Sequence, residues 1–547
     1  MEMPSGQSNS AVSTLLRTFS PRNRRRILLV FPRYAHSFGT FNHAFPLVGV
    51  KAFMPPQGIL LVASLLPKDW ECRFADENIA PASAQDFAWA DAVFISGMHI
   101  QKAAIQDIAC RAQKAGKMTA LGGPSVSAAP EYYPQVNLLH CGEVGDATLR
   151  LFELLDESIE PPDRQVVFRT TKRLDLSDFP MPAYHLLNLK QYLMGSVQFS
   201  SGCPFTCEFC DIPGLYGRNP RLKTPQQIVN ELDQLLDGGA DSVYFVDDNF
   251  IGNPKATSEL LPHIIEWQEK RGYKMRLSCE ATLNISGHPQ ILEMMRKAFF
   301  RTVFCGIETP EPAALRAMKK TQNLRSPILD SVAALNHHGL EVAAGIIMGL
   351  DTDTPETAQA IIEFARESQI PIMTVNLLYA LPKTALHERL AKTGRLVSIE
   401  GRDSNIAFLE PYETVVGRWR EVIANIYSPK NLFARFTAQA ERTYPNRFKP
   451  DNPWKQLSWL RVGLALRILA RIVWRVGIRS HYRREFWKFF KARLREGDLE
   501  SILHIGIVAH HLITYAQACT QGKMQSSNYS SRAVEFHGVP APARLRS

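Results

Sequence analysis

Cys203-Pro-Phe-Thr-Cys207-Glu-Phe-Cys210, entered from Phe199-Ser-Ser-Gly202 and left through Asp211-Ile-Pro213, is the stretch on which the fold turns. Three cysteines fall within eight residues, and a short β-like run, Ser196-Val-Gln-Phe199, precedes them, so they sit on a loop leaving a strand. Iron–sulfur clusters are held by closely spaced thiolates, usually four. Three from one loop leave one iron of a four-iron cluster without a protein ligand, and an open position marks a reactive metal centre. A zinc knuckle or three unrelated thiols are the alternatives. A knuckle needs a fourth Cys or His close by, and none lies between Asp211 and Val246.

The spacing resembles the signature of the radical S-adenosylmethionine (SAM) superfamily, in which the open iron of a [4Fe-4S] cluster is chelated by SAM. Working outward on the C-terminal side, apolar runs at Val243–Val246, Met275–Ser278, Thr302–Cys305, Ala343–Met348 and Thr374–Leu378 alternate with helical stretches. With the strand before the cysteines they make six repeats, which resemble a partial (β/α)6 radical SAM barrel over residues 195–395. Barrel chemistry takes place at the carboxyl ends of strands. Asp247-Asp248, Glu280, Glu308 and Gly349 fall at such ends. Carboxylates there suit the ammonium and ribose of SAM, and glycine-lined edges suit its adenine. By resemblance, Asp247 and Asp248 are expected at the amino group, Glu280 at the ribose and Phe209 at the adenine. A helix cap or a solvated loop is the plainer reading of each acid taken singly. Cys279 and Cys305 read as core residues rather than ligands.

On the N-terminal side, Ile27–Phe31, Cys72–Ala75, Ala92–Ser96, Met118–Leu121 and Asn137–His140 also alternate with helical stretches over residues 26–150. That pattern predicts a doubly wound α/β sheet, whose ligands sit at the strands' carboxyl ends. Gly97-Met98, Gly122-Gly123 and Gly142-Glu143 occupy those ends, and glycine there lets a backbone approach a large ligand. Placed before a radical SAM loop, the domain resembles the cobalamin-binding domain of cobalamin-dependent radical SAM enzymes. That resemblance makes these six residues candidate cobalamin contacts. The family's Asp-x-His-x-x-Gly loop corresponds to Tyr34-Ala-His36-Ser-Phe-Gly39, where tyrosine replaces the aspartate that would orient the imidazole. An ordinary loop histidine is the other reading of His36. A Pro-containing linker is expected over 151–194.

The 547 residues suffice for three or four domains, with 45% apolar and 21% charged residues, as in a soluble globular protein. Nine cysteines, three of them grouped, argue for a reducing compartment. The Ser-rich residues 1–25 have no apolar core of a secretory signal and read as a disordered basic extension. No uninterrupted apolar run reaches the ~18 residues of a membrane span. The net charge of +10 is local: Lys455 to Arg495 carries twelve Lys and Arg against one acid, Glu485. This stretch lies in an expected helical domain over 396–522, followed by a disordered tail over 523–547. Arg467, Arg471, Arg475 and Arg479 recur every four residues among Leu, Ile, Val and Trp474. Such a helix suits the surface of an anionic membrane; packing on the barrel is the alternative. No base-reading motif accompanies the charge, so nucleic acid is not an expected partner.

The three domains in this order resemble the class B radical SAM methyltransferases, which methylate unactivated carbon using methylcobalamin. Words such as Lys51-Ala-Phe-Met-Pro-Pro-Gln57, Asp211-Ile-Pro-Gly-Leu-Tyr-Gly-Arg218 and Asp247-Asp-Asn-Phe-Ile-Gly252 look most like the hopanoid C-2 methyltransferases. The resemblance implies a lipid substrate, a ferredoxin, flavodoxin or reductase as electron donor, and a cytoplasmic enzyme with peripheral contact to the inner membrane face. Another cobalamin-dependent radical SAM enzyme acting on a tetrapyrrole, peptide or other lipid is an alternative, as is a non-enzymatic cobalamin or cluster sensor. Methylthiotransferases need a second cysteine set, which the scattered Cys72, Cys110 and Cys141 do not form.

Overall fold

Apolar runs bounded by turn residues become buried parallel strands here because helices cover both faces of each sheet. The computed structural model describes residues 9–399, 401–451, 459–524 and 529. The first sheet contains β1 (Arg26–Phe31), β2 (Glu71–Asp76), β3 (Ala92–Ser96), β4 (Met118–Gly122), β5 (Leu138–Cys141) and β6 (Val166–Arg169), in the order β2-β1-β3-β4-β5-β6. Every pairing is parallel. Ile27, Leu28, Leu29 and Val30 are fully buried, as a central strand sandwiched between helices requires.

The second sheet restarts the alternation. It contains β7 (Gly195–Val197), β10 (Ser242–Phe245), β11 (Arg276–Glu280), β12 (Phe300–Glu308), β13 (Glu341–Met348) and β14 (Ile372–Leu377), ordered β14-β13-β12-β11-β10-β7. These pairings are parallel too, giving the six repeats expected of a partial barrel. Between β7 and β10, β8 (Ser200–Ser201) and β9 (Arg221–Leu222) form a small antiparallel ribbon that brackets the three cysteines. Cys279 and Cys305 are fully buried, as core residues.

Helices Tyr412–Ile426, Pro429–Arg442, Trp459–Ile472, Arg483–Arg495 and Leu499–Thr520 make up the C-terminal region. They cover the exposed edge of the barrel. The Trp419 indole donates to the Val375 carbonyl at 2.9 Å, the buried Arg435 guanidinium donates to the Ile370 carbonyl at 2.9 Å, and Tyr427 bonds Met373. Side chains therefore satisfy backbone groups around β14 that no further strand pairs. Helix Leu499–Thr520 is long and apolar enough to cross a membrane, yet most of it is buried within the fold.

Two expected boundaries need correction. Residues 9–25 are ordered: helix Asn9–Thr18 buries Val12 and Leu16 in the core that holds Leu151, Phe152 and Leu155. The Arg22 and Asn23 amides then donate to the Asp156 carboxylate at 2.9 and 2.8 Å. The span assigned to a linker from residue 151 begins inside helix Asp146–Glu157 and includes β6, so the first domain runs to Arg169. The tail expected to be disordered lies outside the described residues, apart from Lys523, Met524 and Tyr529.

Lys223 and Glu231 form a buried ion pair at 2.5 Å, each side chain 2% exposed. The Tyr184 hydroxyl also donates to Glu231, at 3.1 Å. The pair fixes the chain leaving β9 against helix Pro225–Asp237. Removing one partner strands a buried charge, which costs about 3–5 kcal/mol. Lys223→Ala is therefore expected to lower the urea midpoint sharply, while the paired change Lys223→Met with Glu231→Leu restores most of it.

Candidate active site

The three-cysteine loop is held at its entry and from two sides. Gly202 begins it at φ 100°, and a Cβ there would lie 2.9 Å from the Gly217 carbonyl. The Cys203 amide donates to Gly217 (3.2 Å), the Glu208 amide to Met318 (2.9 Å), and the Leu386 amide to Glu208 (2.9 Å). Arg389, on helix Ala385–Lys392, bonds the Glu208 carboxylate at 2.6 Å and Asp351 at 2.7 Å. Cys203, Cys207 and Cys210 are free, half-buried thiols. Burial pushes the Cys203 and Cys210 thiols up, so metal must displace a proton from each as it binds. Among the described residues, no group of three or more His, Cys, Asp or Glu converges on one ion. A multi-iron cluster requires no such convergence, since each thiolate takes its own iron, and this donor set fits one.

The acids at the strand ends divide in two. Asp247 is buried and its carboxylate accepts from the Ser200 amide, so it grips the loop from behind instead of lining the chamber as expected. Its second oxygen is buried without a partner. Asp248 accepts from the Gly202 amide at 2.7 Å. Glu280 is accessible by area yet enclosed by protein, as a group lining an internal chamber is, and lies 3.4 Å from the Tyr244 hydroxyl. Burial pushes Asp247 and Glu280 up to about 7 and Asp248 up to about 6, with repulsion between the acids adding to it. Such a crowd of carboxylates fits a cationic ligand such as SAM.

Two other expected SAM contacts are engaged by the chain itself. Glu308, at φ 67°, is buried in an ion pair with Lys320, which the sequence reading missed. Gly349, at φ 87°, turns its Cα toward Phe408, where a Cβ would come within 2.6 Å of the ring, and its amide donates to Asp353 at 2.6 Å. Its glycine thus answers a packing need. Phe209 is partly buried against Leu378, Ala380, Leu386 and Leu390, with Lys320 Nζ 5.6 Å from its ring centre.

The expected cobalamin contacts divide similarly. A Cβ on Gly97 would meet Ile105 at 2.9 Å, one on Gly123 the Gly97 carbonyl at 3.0 Å, and one on Gly142 Thr170 at 2.9 Å. The chain's own loops fill those spaces. Gly122 stays open, its nearest neighbour being His140 at 3.9 Å, and Met98 is 39% exposed. Glu143 is engaged elsewhere: its carboxylate meets Arg221 at 2.5 and 2.6 Å and Arg173 at 3.1 Å. Arg221 in turn donates to Ser201 at 3.1 Å. This cluster joins the carboxyl edge of the first sheet to the ribbon at the cysteine loop.

His36 borders a small cavity of about 120 Å³ with Arg33, Tyr34, Asn42, Lys51 and Glu77. The C-terminal helix Leu499–Thr520 braces this loop: Tyr515 donates to the His36 carbonyl at 2.9 Å, and the His511 ring bonds the Phe38 carbonyl at 3.1 Å. Neither residue could be found from local sequence, because some 475 positions separate the partners. Open Gly122 and exposed Met98 leave part of this edge uncovered by the chain's own side chains.

The raised acids have a thermodynamic consequence. Between pH 4.5, where an ordinary glutamate ionises, and about 7, folded Glu280 holds a proton that the unfolded chain has lost. Stability must then fall as pH rises through that window. Cofactor-free Glu280→Gln is expected to melt above the unsubstituted protein at pH 8, with the gap closing by pH 4; parallel melts across that range check it.

The radical SAM superfamily model matches residues 197–365, and a domain of unknown function (DUF4070) matches 384–525. The hopanoid C-2 methylase of Rhodopseudomonas palustris (strain TIE-1) is 53% identical over 95% of this chain and 99% of its own length. Two solved structures share the fold. The cobalamin-dependent SAM radical enzyme OxsB, with aqua-cobalamin and SAM bound, superposes with TM-score 0.58 at 15% identity, covering 94% of this chain and 83% of that one. The radical SAM methyltransferase TsrM of Kitasatospora setae, with cobalamin and a [4Fe-4S] cluster, gives 0.57 at 15% identity, covering 86% and 100%. With three free thiols on one barrel loop, a crowd of carboxylates beside it and a relative matched along nearly its whole length, the chain belongs to the radical SAM methyltransferases, in the family of the hopanoid C-2 methylase.

Proposed function

We propose that this protein is a cobalamin-dependent radical SAM methyltransferase that adds a methyl group to C-2 of a hopanoid. The observation that carries the reading is the junction at Glu143, which sets the open edge of a doubly wound domain beside the three-cysteine loop. Identity of 53% to a hopanoid C-2 methylase supports the substrate. An unactivated sp3 carbon offers no lone pair for an ordinary methyl transfer. Bound here, a [4Fe-4S] cluster would supply the electron that opens SAM, and cobalamin would supply the methyl group.

The protein's own contribution is to hold, orient and exclude. Cys203, Cys207 and Cys210 would hold three irons and leave the fourth for SAM. Glu280 and Asp248 would take up the positive and hydroxyl-bearing parts of SAM, ionising as they do so. Gly122 and Met98 would meet the corrinoid, with the His36 loop at its rim. Lys383 bonds the Ser127 carbonyl across the two domains, and with the Glu143 cluster it closes the chamber's rim against water. A ferredoxin, flavodoxin or reductase would deliver the electron.

A lipid substrate also gives the basic C-terminal helices a role as a peripheral contact with the inner leaflet. Leu466, Trp474 and Ile478 are 60%, 55% and 50% exposed, and Arg467, Arg475 and Arg479 are exposed among them. Arginines near anionic lipid gain about 1 kcal/mol each.

Expression in a hopanoid-making host that lacks the methylase is expected to yield 2-methylhopanoids by lipid mass spectrometry, and Cys207→Ala to abolish them. A host lipid profile without new methylhopanoid would refute the substrate. In flotation with phosphatidylglycerol vesicles, changing Arg467, Arg475 and Arg479 together to Glu should cost at least ~3 kcal/mol, above a hundredfold in partitioning. Equal flotation of both proteins would remove the membrane contact.

A further inference from the structure

Behind the cysteine loop lies a turn that the catalytic reading leaves unused. Helix Pro312–Ala317 ends in Met318, whose carbonyl accepts the Glu208 amide, and the chain then turns through Lys320 to Asn323. Gln322, 2% exposed, donates its Nε2 to Cys207 Sγ at 3.3 Å. Its Oε1 is buried without a partner. Against a metal-bound thiolate, which only accepts, the opposite amide orientation would set a carbonyl oxygen on the sulfur, so the donor faces it. Asn323 fixes the turn by donating to the Gly306 and Ile307 carbonyls at 2.9 and 3.2 Å. Lys320, 5% exposed, brings a buried ammonium to the same place, held by Glu308 and lying 5.6 Å from the Phe209 ring. Gly306 has no side chain because that pair occupies the space.

We infer that Gln322 is a positioning residue for the redox step: its amide N–H bonds the Cys207 sulfur and makes the cluster easier to reduce. This rests on the proposal that Cys203, Cys207 and Cys210 carry an iron–sulfur cluster. Hydrogen bonds to cluster sulfurs and nearby charge set reduction potential, because reduction adds negative charge that a donor stabilises. A buried bond acts strongly, since little water competes with it. Backbone amides of Phe205 and Ile212 and the Asn249 side chain face the Cys203 and Cys210 sulfurs; the Gln322 amide adds a donor on Cys207, beside the buried Lys320 ammonium.

The full-length protein is reconstituted with iron and sulfide, and the reduced cluster is titrated by electron paramagnetic resonance (EPR). Iron content of the unsubstituted protein tests the cluster reading by itself. With the cluster present, Gln322→Leu removes the donor at similar volume, and Gln322→Glu replaces it with an anion. The reduced-to-oxidised ratio at a fixed potential is expected to fall about tenfold in the first, which is ~59 mV for one electron, and further in the second. A merely structural Gln322 would leave the loaded Gln322→Leu protein at the original midpoint, and that result overturns the inference. A second measurement needs no variant. With ¹⁵N-labelled glutamine, pulsed EPR of the reduced cluster should show an exchangeable proton and a nitrogen coupling, and their absence would equally overturn it.

Discussion

The carboxylate of Glu143, held between Arg221 and Arg173, is the contact on which the site depends. It stands at the open edge of one parallel sheet, while Arg221 begins the ribbon strand that brackets the cysteine loop of the other. The Glu143 and Arg221 side chains are only 13% and 14% exposed, so either charge left alone would be poorly solvated. Breaking a buried pair costs far more than an exposed one is worth. The relative placement of the two domains is therefore specified by charge as well as by apolar packing. Arg173 extends the link by donating to the Tyr216 carbonyl in the loop beyond the cysteines.

Inside the barrel the electrostatics run the other way. Asp247, Asp248 and Glu280 crowd together with too few cationic partners, and burial holds them partly protonated near neutrality. A fold gains nothing by keeping acids in this state, and sites that bind or react are where such tension is tolerated. The neighbouring acid Glu308 differs because Lys320 meets it directly. The contrast separates acids engaged by the fold, Glu308 with Lys320 and Asp247 with the Ser200 amide, from Glu280, which lacks a cationic partner.

Both parallel sheets were legible in the sequence, because fully buried strands read as continuous apolar runs between helical periods. The cysteine loop was legible because its three cysteines are local in sequence. What escaped was non-local. β6 follows a polar stretch and pairs across the sheet edge, so Val166–Arg169 read as linker. Helix Asn9–Thr18 lies in a polar Ser-rich context, and its buried apolar residues Val12 and Leu16 reveal its docking. Gly97, Gly123, Gly142 and Gly349 read as ligand cradles, yet the chain's own atoms occupy the space beside each. Glu143, Asp247 and Glu308 were rightly placed at strand ends, but their partners Arg221, the Ser200 amide and Lys320 lie 78, 47 and 12 residues away. Spacing alone cannot tell a carboxylate awaiting a ligand from one already paired.

The account requires that a single chamber serve both domains. EPR of protein carrying a reduced [4Fe-4S] cluster and cob(II)alamin together tests this directly. Two paramagnets facing one chamber should broaden each other's spectra and speed each other's relaxation. A spectrum that is the plain sum of the two singly loaded forms would contradict the shared chamber.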